Sequence, residues 1–259
     1  MLVIEKTMTI NFQSFGEGEP LVVIHGLFGT SDNLKAVAKQ LSDQFKVYLI
    51  DAPGHGDSTS LPLLSLENMA NAVFEFLEQQ NLSTVSILGH SLGGKIAMEL
   101  ALRHPDRVDK LLVADIAPVQ YKPRHDDIIS SLKAVPLTQI KTRQEADAIL
   151  AKKISEPGVR GFLLKSLARA DAGWRWRFDL DQLANDYNEL IKGNVEATYE
   201  GPVLMIIGGE SNYVLPEYRS EIVNRFPSAE AKVIAGAGHW LHAERQTAFV
   251  KICRDFLLR

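Results

Sequence analysis

A serine set among glycines, Gly89-His90-Ser91-Leu92-Gly93-Gly94, follows the apolar run Val85–Leu88 and precedes a helical pattern beginning near Leu92. A nucleophilic serine needs this context, because a tight strand-to-helix turn lifts its hydroxyl clear of the backbone. Glycines at 89 and 93 keep side chains out of the turn, and Gly94 lets the helix pack closely. The helix also aims its first amides and the positive end of its dipole at the serine.

Serine alone is a weak nucleophile and needs a base oriented by a third group. The sequence holds seven histidines. His239, in Ala235-Gly236-Ala237-Gly238-His239-Trp240 after the final strand, is the best placed; His242, near the start of the last helix, is its competitor. The loop His25-Gly26-Leu27-Phe28-Gly29 has glycines that let backbone amides approach an oxygen closely, as an oxyanion hole requires. The amides of Leu27 and Leu92 are the expected donors. His25 reads as a structural hydrogen-bonder rather than a catalyst; together with Phe28, Trp176 and Trp240 it is expected at the substrate site. The turn Asp51-Ala52-Pro53-Gly54-His55-Gly56-Asp57-Ser58 reads as architectural.

These groups must be carried by a scaffold, and short apolar runs alternating with helical patterns predict a parallel sheet with crossover helices. Strands are expected at Leu21–His25, Val47–Asp51, Thr84–Leu88, Leu111–Asp115, Val203–Ile207 and Lys232–Ala235, after antiparallel edge strands in the segment up to Phe15. Helices are expected at Asp32–Leu41, Leu66–Gln80, Leu92–His104, Pro216–Arg225 and Glu244–Leu257. From about Gln120 to Thr198 no buried-strand run appears, while apolar stripes such as Ile128, Ile129, Leu132 and Val135 recur at helical spacing. The reading is a helical cap, 120–198, inserted after the sixth strand of a core formed by 1–119 and 199–259. Within it, Trp174-Arg175-Trp176-Arg177-Phe178 alternates aromatic and basic residues. Packing with solvated arginines is one reading, and an aromatic wall for an acyl chain is the sharper one.

HGLFG, DAPGHGDS, GHSLGG and GAGHW, in this order, resemble the α/β-hydrolase superfamily over essentially the whole chain. HGLFGTSDN, ADIAP, GGESNYV and AGAGHWLH further resemble the YbfF-type bacterial esterases. The resemblance implies the α/β-hydrolase fold, with Ser91 as nucleophile, His239 as base, and Leu27 and Leu92 as oxyanion donors. The acid departs from the common pattern: Ser211 stands where most members carry an aspartate after the penultimate strand. Asp115, ending the strand after the elbow helix, and Glu210 are the two candidates, and the resemblance points to Asp115. The activity implied is serine carboxylic-ester hydrolysis through an acyl-enzyme, on a small-molecule ester or acyl thioester. A C–C bond hydrolase or lyase-like member using the same residues, and a ligand-binding protein on the same scaffold, are the alternatives.

Composition limits the other classes. The 259 residues are 46% hydrophobic and 23% charged, ordinary for a globular protein, and the net charge is −4. Such a balance gives no electrostatic footprint for nucleic acid. No metal-ligand cluster, phosphate loop or dinucleotide fingerprint appears, so no cofactor is expected. The lone Cys253 reads as a packing residue. No apolar run nears the ~20 residues of a membrane helix, and Met1–Lys6 lacks a signal-peptide core, so a cytoplasmic protein is expected.

Overall fold

The computed structural model describes residues 8–259, so any expected edge strand within residues 1–7 lies outside the described residues. One sheet has the order β1 (Phe12–Phe15), β3 (Phe45–Ile50), β2 (Glu19–Ile24), β4 (Val85–His90), β5 (Val108–Ala114), β8 (Val203–Gly208) and β9 (Ala229–Ile234). β1 pairs antiparallel with β3, and every other pairing is parallel. Each expected core strand is present. β9 starts three residues earlier than its apolar signal, because as an edge strand it exposes most of its residues.

Both faces of the sheet are covered, and side chains alternate between them along each strand. In β2, Leu21 and Val23 join the cluster formed with α1 (Lys35–Leu41), α10 (Leu241–Glu244) and α11 (Gln246–Leu257), where Cys253 is fully buried. Val22 and Ile24 join the larger cluster with α2 (Leu66–Gln79), α3 (Leu92–Arg103) and residues around α9 (Arg219–Arg225). Among the described residues no helix is long and apolar enough to cross a membrane.

The interval between β5 and β8 holds α4 (Asp126–Lys133), α5 (Arg143–Leu150), α6 (Pro157–Lys165), α7 (Leu180–Asn185) and α8 (Tyr187–Leu190). It follows the fifth described strand, and it is not wholly helical. β6 (Leu167–Ala170) and β7 (Gly173–Trp176) form an antiparallel hairpin. Four-residue strands with one solvated face produce no continuous apolar run, which is why the pattern hid them. The interval packs on the loops that follow β2 and β3. Ser166 Oγ donates to Phe28 O at 2.8 Å, Asp179 N–H to Gly54 O at 2.9 Å, and Gly56 N–H to Arg177 O at 2.6 Å. Its outgoing and returning chains pair through Tyr121 N–H to Ile191 O (2.9 Å) and Asn194 N–H to Pro118 O (3.0 Å).

β7 corrects the expectation for Trp176. The alternation is real: Trp174, Trp176 and Phe178 are buried, while Arg175 and Arg177 pair with Asp57 and Asp32. Trp176, however, stacks on Phe178 (centroids 5.6 Å, 9°), and its Nε1–H donates to Leu132 O at 3.3 Å. It lines a separate recess with Leu132 and Leu180, so it is a packing residue and not a wall of the cavity at Ser91. Trp176→Ala is therefore expected to cost about 3–5 kcal/mol in a urea titration. An altered ligand preference at unchanged stability would return Trp176 to the site.

Candidate active site

The turn between β4 and α3 places Ser91 at φ 52°, ψ −118°, a left-handed conformation that non-glycine residues rarely adopt. The surrounding backbone leaves no alternative. A Cβ on Gly89 would overlap the Gly93 carbonyl, and one on Gly93 would overlap the carbonyl of Ile24. Ser91 N–H donates to Ala114 O at 3.0 Å, tying the turn to the end of β5. Leu92, the first residue of α3, has an amide with no intrahelical acceptor.

Asp115 follows β5 immediately, also at positive φ (53°), and is fully buried. Its Oδ1 accepts Gly208 N–H at 2.9 Å. Its Oδ2 accepts His239 Nδ1–H at 2.8 Å and the Ser211 hydroxyl. His239 Nε2 lies 3.0 Å from Ser91 Oγ, and in the tautomer that carries its proton on Nδ1 it presents a lone pair to that hydroxyl. Of the two candidate acids, Asp115 is thus the one that meets His239. Glu210 sits exposed, its N–H donating to Ala237 O at 2.9 Å. Ser211 supports the aspartate and accepts Tyr213 N–H at 3.2 Å.

The other histidines form a buried frame. His25 is 1% exposed: its Nδ1–H donates to Gly26 O at 2.8 Å, and its Nε2 accepts Ala52 N–H at 3.1 Å. Both ring nitrogens are thus committed to backbone, and His25 does not line the cavity, which corrects its assignment to the substrate site. His55 accepts Phe28 N–H at 3.3 Å. Nε2–H of His90 donates to the His239 carbonyl at 2.8 Å, fixing the loop that carries His239. His242 is buried against His90 (centroids 4.4 Å), and of the two it is His239 that reaches Ser91 Oγ.

Three side chains at the site, Tyr213, Arg124 and His125, have no role that the sequence pattern assigns. Tyr213 stacks on His239 with centroids 3.7 Å apart and planes at 15°. The Arg124 guanidinium lies 4.2 Å from the same ring and must occupy the opposite face, since the imidazole fills the first. Tyr213 Oη is 3.2 Å from His125 Nε2, and His125 Nδ1 is 2.6 Å from Tyr187 Oη. The only sequence signal for Tyr213 is its place in GGESNYV; His125 and Arg124 carry none.

The site opens into a cavity of about 270 Å³ whose lining includes Leu27, Phe28, Ser91, His239, Trp240 and, from α6, Phe162. Phe28 and Trp240 are thus both part of the cavity wall. A narrower recess beside it includes Leu27, Ser91 and Leu92. Below it, the buried Lys95 of α3 donates to Val119 O (2.9 Å) and to Lys192 O, clasping both stems of the inserted interval. Burial lowers its pKa to about 7, against the pull of Glu99. Among the described residues no group of His, Cys, Asp or Glu is arranged to hold a metal.

Burial lowers the pKa of His55 and His242 to about 3 and of His125 to about 4, and depresses His25 and His90 as well. A lowered folded-state value means that the unfolded chain binds more protons, so stability is lost as pH falls below the ordinary 6.5. Each such imidazole contributes up to about 1.4 kcal/mol per pH unit. Urea midpoints are expected to fall steeply between pH 6.5 and 4.5. A flat midpoint over that window would show that these rings are not buried neutral.

The sequence model of the Alpha/beta hydrolase family matches residues 21–252. The chain is 38% identical over 246 residues to Esterase YbfF of Escherichia coli (strain K12), covering 95% of each. It is 36% identical to the sn-1-specific diacylglycerol lipase ABHD11 of Mus musculus, over 92% of this chain and 80% of that one. Among solved structures, a marine microorganism esterase superposes with a TM-score of 0.93 at 38% identity, over 96% of this chain and 100% of that one. The turn at Ser91, the sheet order and these similarities together lead to one conclusion: the chain belongs to the alpha/beta hydrolase family.

Proposed function

We propose that the protein is a serine carboxylic-ester hydrolase, acting on oxygen esters or acyl thioesters through an acyl-enzyme. The observation that carries this reading is the unbroken path from Ser91 Oγ to His239 Nε2 (3.0 Å) and from His239 Nδ1 to Asp115 Oδ2 (2.8 Å). The names of the relatives, esterase and diacylglycerol lipase, favour an ester bond as the target.

In the proposed reaction His239 takes the Ser91 proton as the hydroxyl oxygen attacks the ester carbonyl, and Asp115 stabilises the resulting imidazolium. Charge on the carbonyl oxygen is met by the amides of Leu27 and Leu92, the latter at the positive end of α3. The imidazolium then protonates the leaving alkoxide or thiolate, and water repeats the steps to release the acid. Residues 120–198 act as the cap, contributing Phe162, Arg124 and His125 to the cavity.

Ser91→Ala is expected to leave a folded protein with hydrolysis reduced at least about 10⁴-fold, and a fluorophosphonate is expected to label the wild type at Ser91 with one-to-one stoichiometry. Folded, unlabelled wild-type protein would instead favour a binding scaffold. Asp115→Asn is expected to cost about 10³ to 10⁴ in kcat, and Glu210→Gln less than about tenfold, since Glu210 is exposed. The opposite ordering, measured on one p-nitrophenyl ester, would move the acid to Glu210.

A further inference from the structure

The space at Ser91 is divided. The wide compartment, about 270 Å³, includes His239 and Trp240 in its wall. The narrow one, about 40 Å³, includes Ser91, Leu27 and Leu92 but not His239; Ile116, Leu190 and Ile191 give it aliphatic wall, and Lys95, Tyr121, Arg124, His125 and Tyr213 border it. Resting on the acyl-enzyme reading above, the chemistry assigns the two. Attack makes a tetrahedral carbon bonded to Ser91 Oγ, with its oxyanion toward the Leu27 and Leu92 amides. The leaving oxygen or sulfur must receive its proton from His239 Nε2, so it points into the compartment that contains His239. The remaining substituent, the acyl chain, is directed away from the imidazole.

We infer that the narrow compartment is the acyl subsite, that it takes an apolar acyl group of two to four carbons, and that Leu190 and Ile191 set this limit. At roughly 10–15 Å³ per water-sized group, 40 Å³ holds three or four such groups. Ile116, Leu190 and Ile191 make an aliphatic stretch of its wall. Two cations border the compartment, and both are engaged: the Lys95 ammonium is held by the carbonyls of Val119 and Lys192, and the Arg124 guanidinium lies over the Tyr213 ring and donates to Asn212 Oδ1 at 3.0 Å. Leu190 is 2% exposed and lies in α8, within the cap, and Ile191 O holds Tyr121 N–H at 2.9 Å. This stretch of wall therefore does not recede without disturbing the paired stems. The wide compartment is left for the alcohol or thiol portion, which can be several times larger than the acyl group.

The test is a series of p-nitrophenyl esters from acetate to octanoate, assayed below the micellar range, beside a series of acetates with alcohols from ethyl to naphthyl. kcat/KM is expected to fall at least tenfold from butyrate to octanoate, and to fall less than threefold as the alcohol grows. Ile191→Ala should raise the octanoate-to-butyrate ratio at least fivefold. Phe162→Ala, which alters the wide compartment, should change KM for naphthyl acetate and move that ratio less than twofold. If Ile191→Ala does not fold, Ile191→Val and the wild-type series carry the same comparison. Equal rates on octanoate and butyrate, a preference for hemisuccinyl esters, or a chain-length shift in Phe162→Ala but not at Ile191 would each overturn the assignment. Fluorophosphonate labelling separates the two levels. Labelled enzyme that prefers long chains overturns the subsite alone, whereas folded protein with neither labelling nor ester turnover overturns the acyl-enzyme reading and the subsite with it.

Discussion

Ser91 holds a positive-φ backbone in a turn so tight that a Cβ on Gly89 or Gly93 would overlap the carbonyls of Gly93 and Ile24. Such a conformation costs of order 1–3 kcal/mol and persists only where its surroundings over-determine it. Here the surroundings are the sheet itself. Ser91 N–H is bonded to Ala114 O, and the next residue, Asp115, is again left-handed, with its N–H bonded to Ile206 O at 2.8 Å. Two strained residues at neighbouring strand ends thus point side chains across the same edge. Their separation is set by interstrand hydrogen bonds and not by loop conformation, and the loop after β9 has only to deliver one imidazole between them.

That delivery depends on other imidazoles being uncharged. His90 supports the His239 carbonyl, and His242 packs beneath His90. Burial keeps both rings neutral, so they act as flat hydrogen-bonding and packing units that add no positive charge beside His239. His25 and His55 do the same for the loop carrying Leu27, through Ala52 N–H and Phe28 N–H.

The parts of this arrangement that depend on local chain geometry were legible in the sequence. A serine flanked by glycines between a strand and a helix has little use except as an exposed nucleophile, and the buried strands announce themselves as Val, Ile and Leu runs. What depends on contacts between distant segments was not legible. Asp115 and Glu210 are both acidic residues near strand ends, and only the packing of β5 beside β8 decides which meets His239. Trp176 resembled a cavity wall because it is aromatic and falls in the inserted interval, but strand alternation turns it toward Leu132. The hairpin of β6 and β7 is too short to impose a period. His125 gave no signal, since its partners Tyr187 and Tyr213 lie 62 and 88 residues away.

The stack of Tyr213 on His239 constrains motion as well as position. With a phenol ring 3.7 Å from one face, and Nδ1 anchored to a buried carboxylate, the imidazole cannot rotate about its Cβ–Cγ bond without breaking both contacts. In the proposed reaction the proton taken from Ser91 must therefore be handed on from the same nitrogen in the same orientation. The traffic has to come to the imidazole: first the leaving group and then water occupy one spot beside a stationary Nε2. The ring then serves as a fixed relay throughout the proposed cycle.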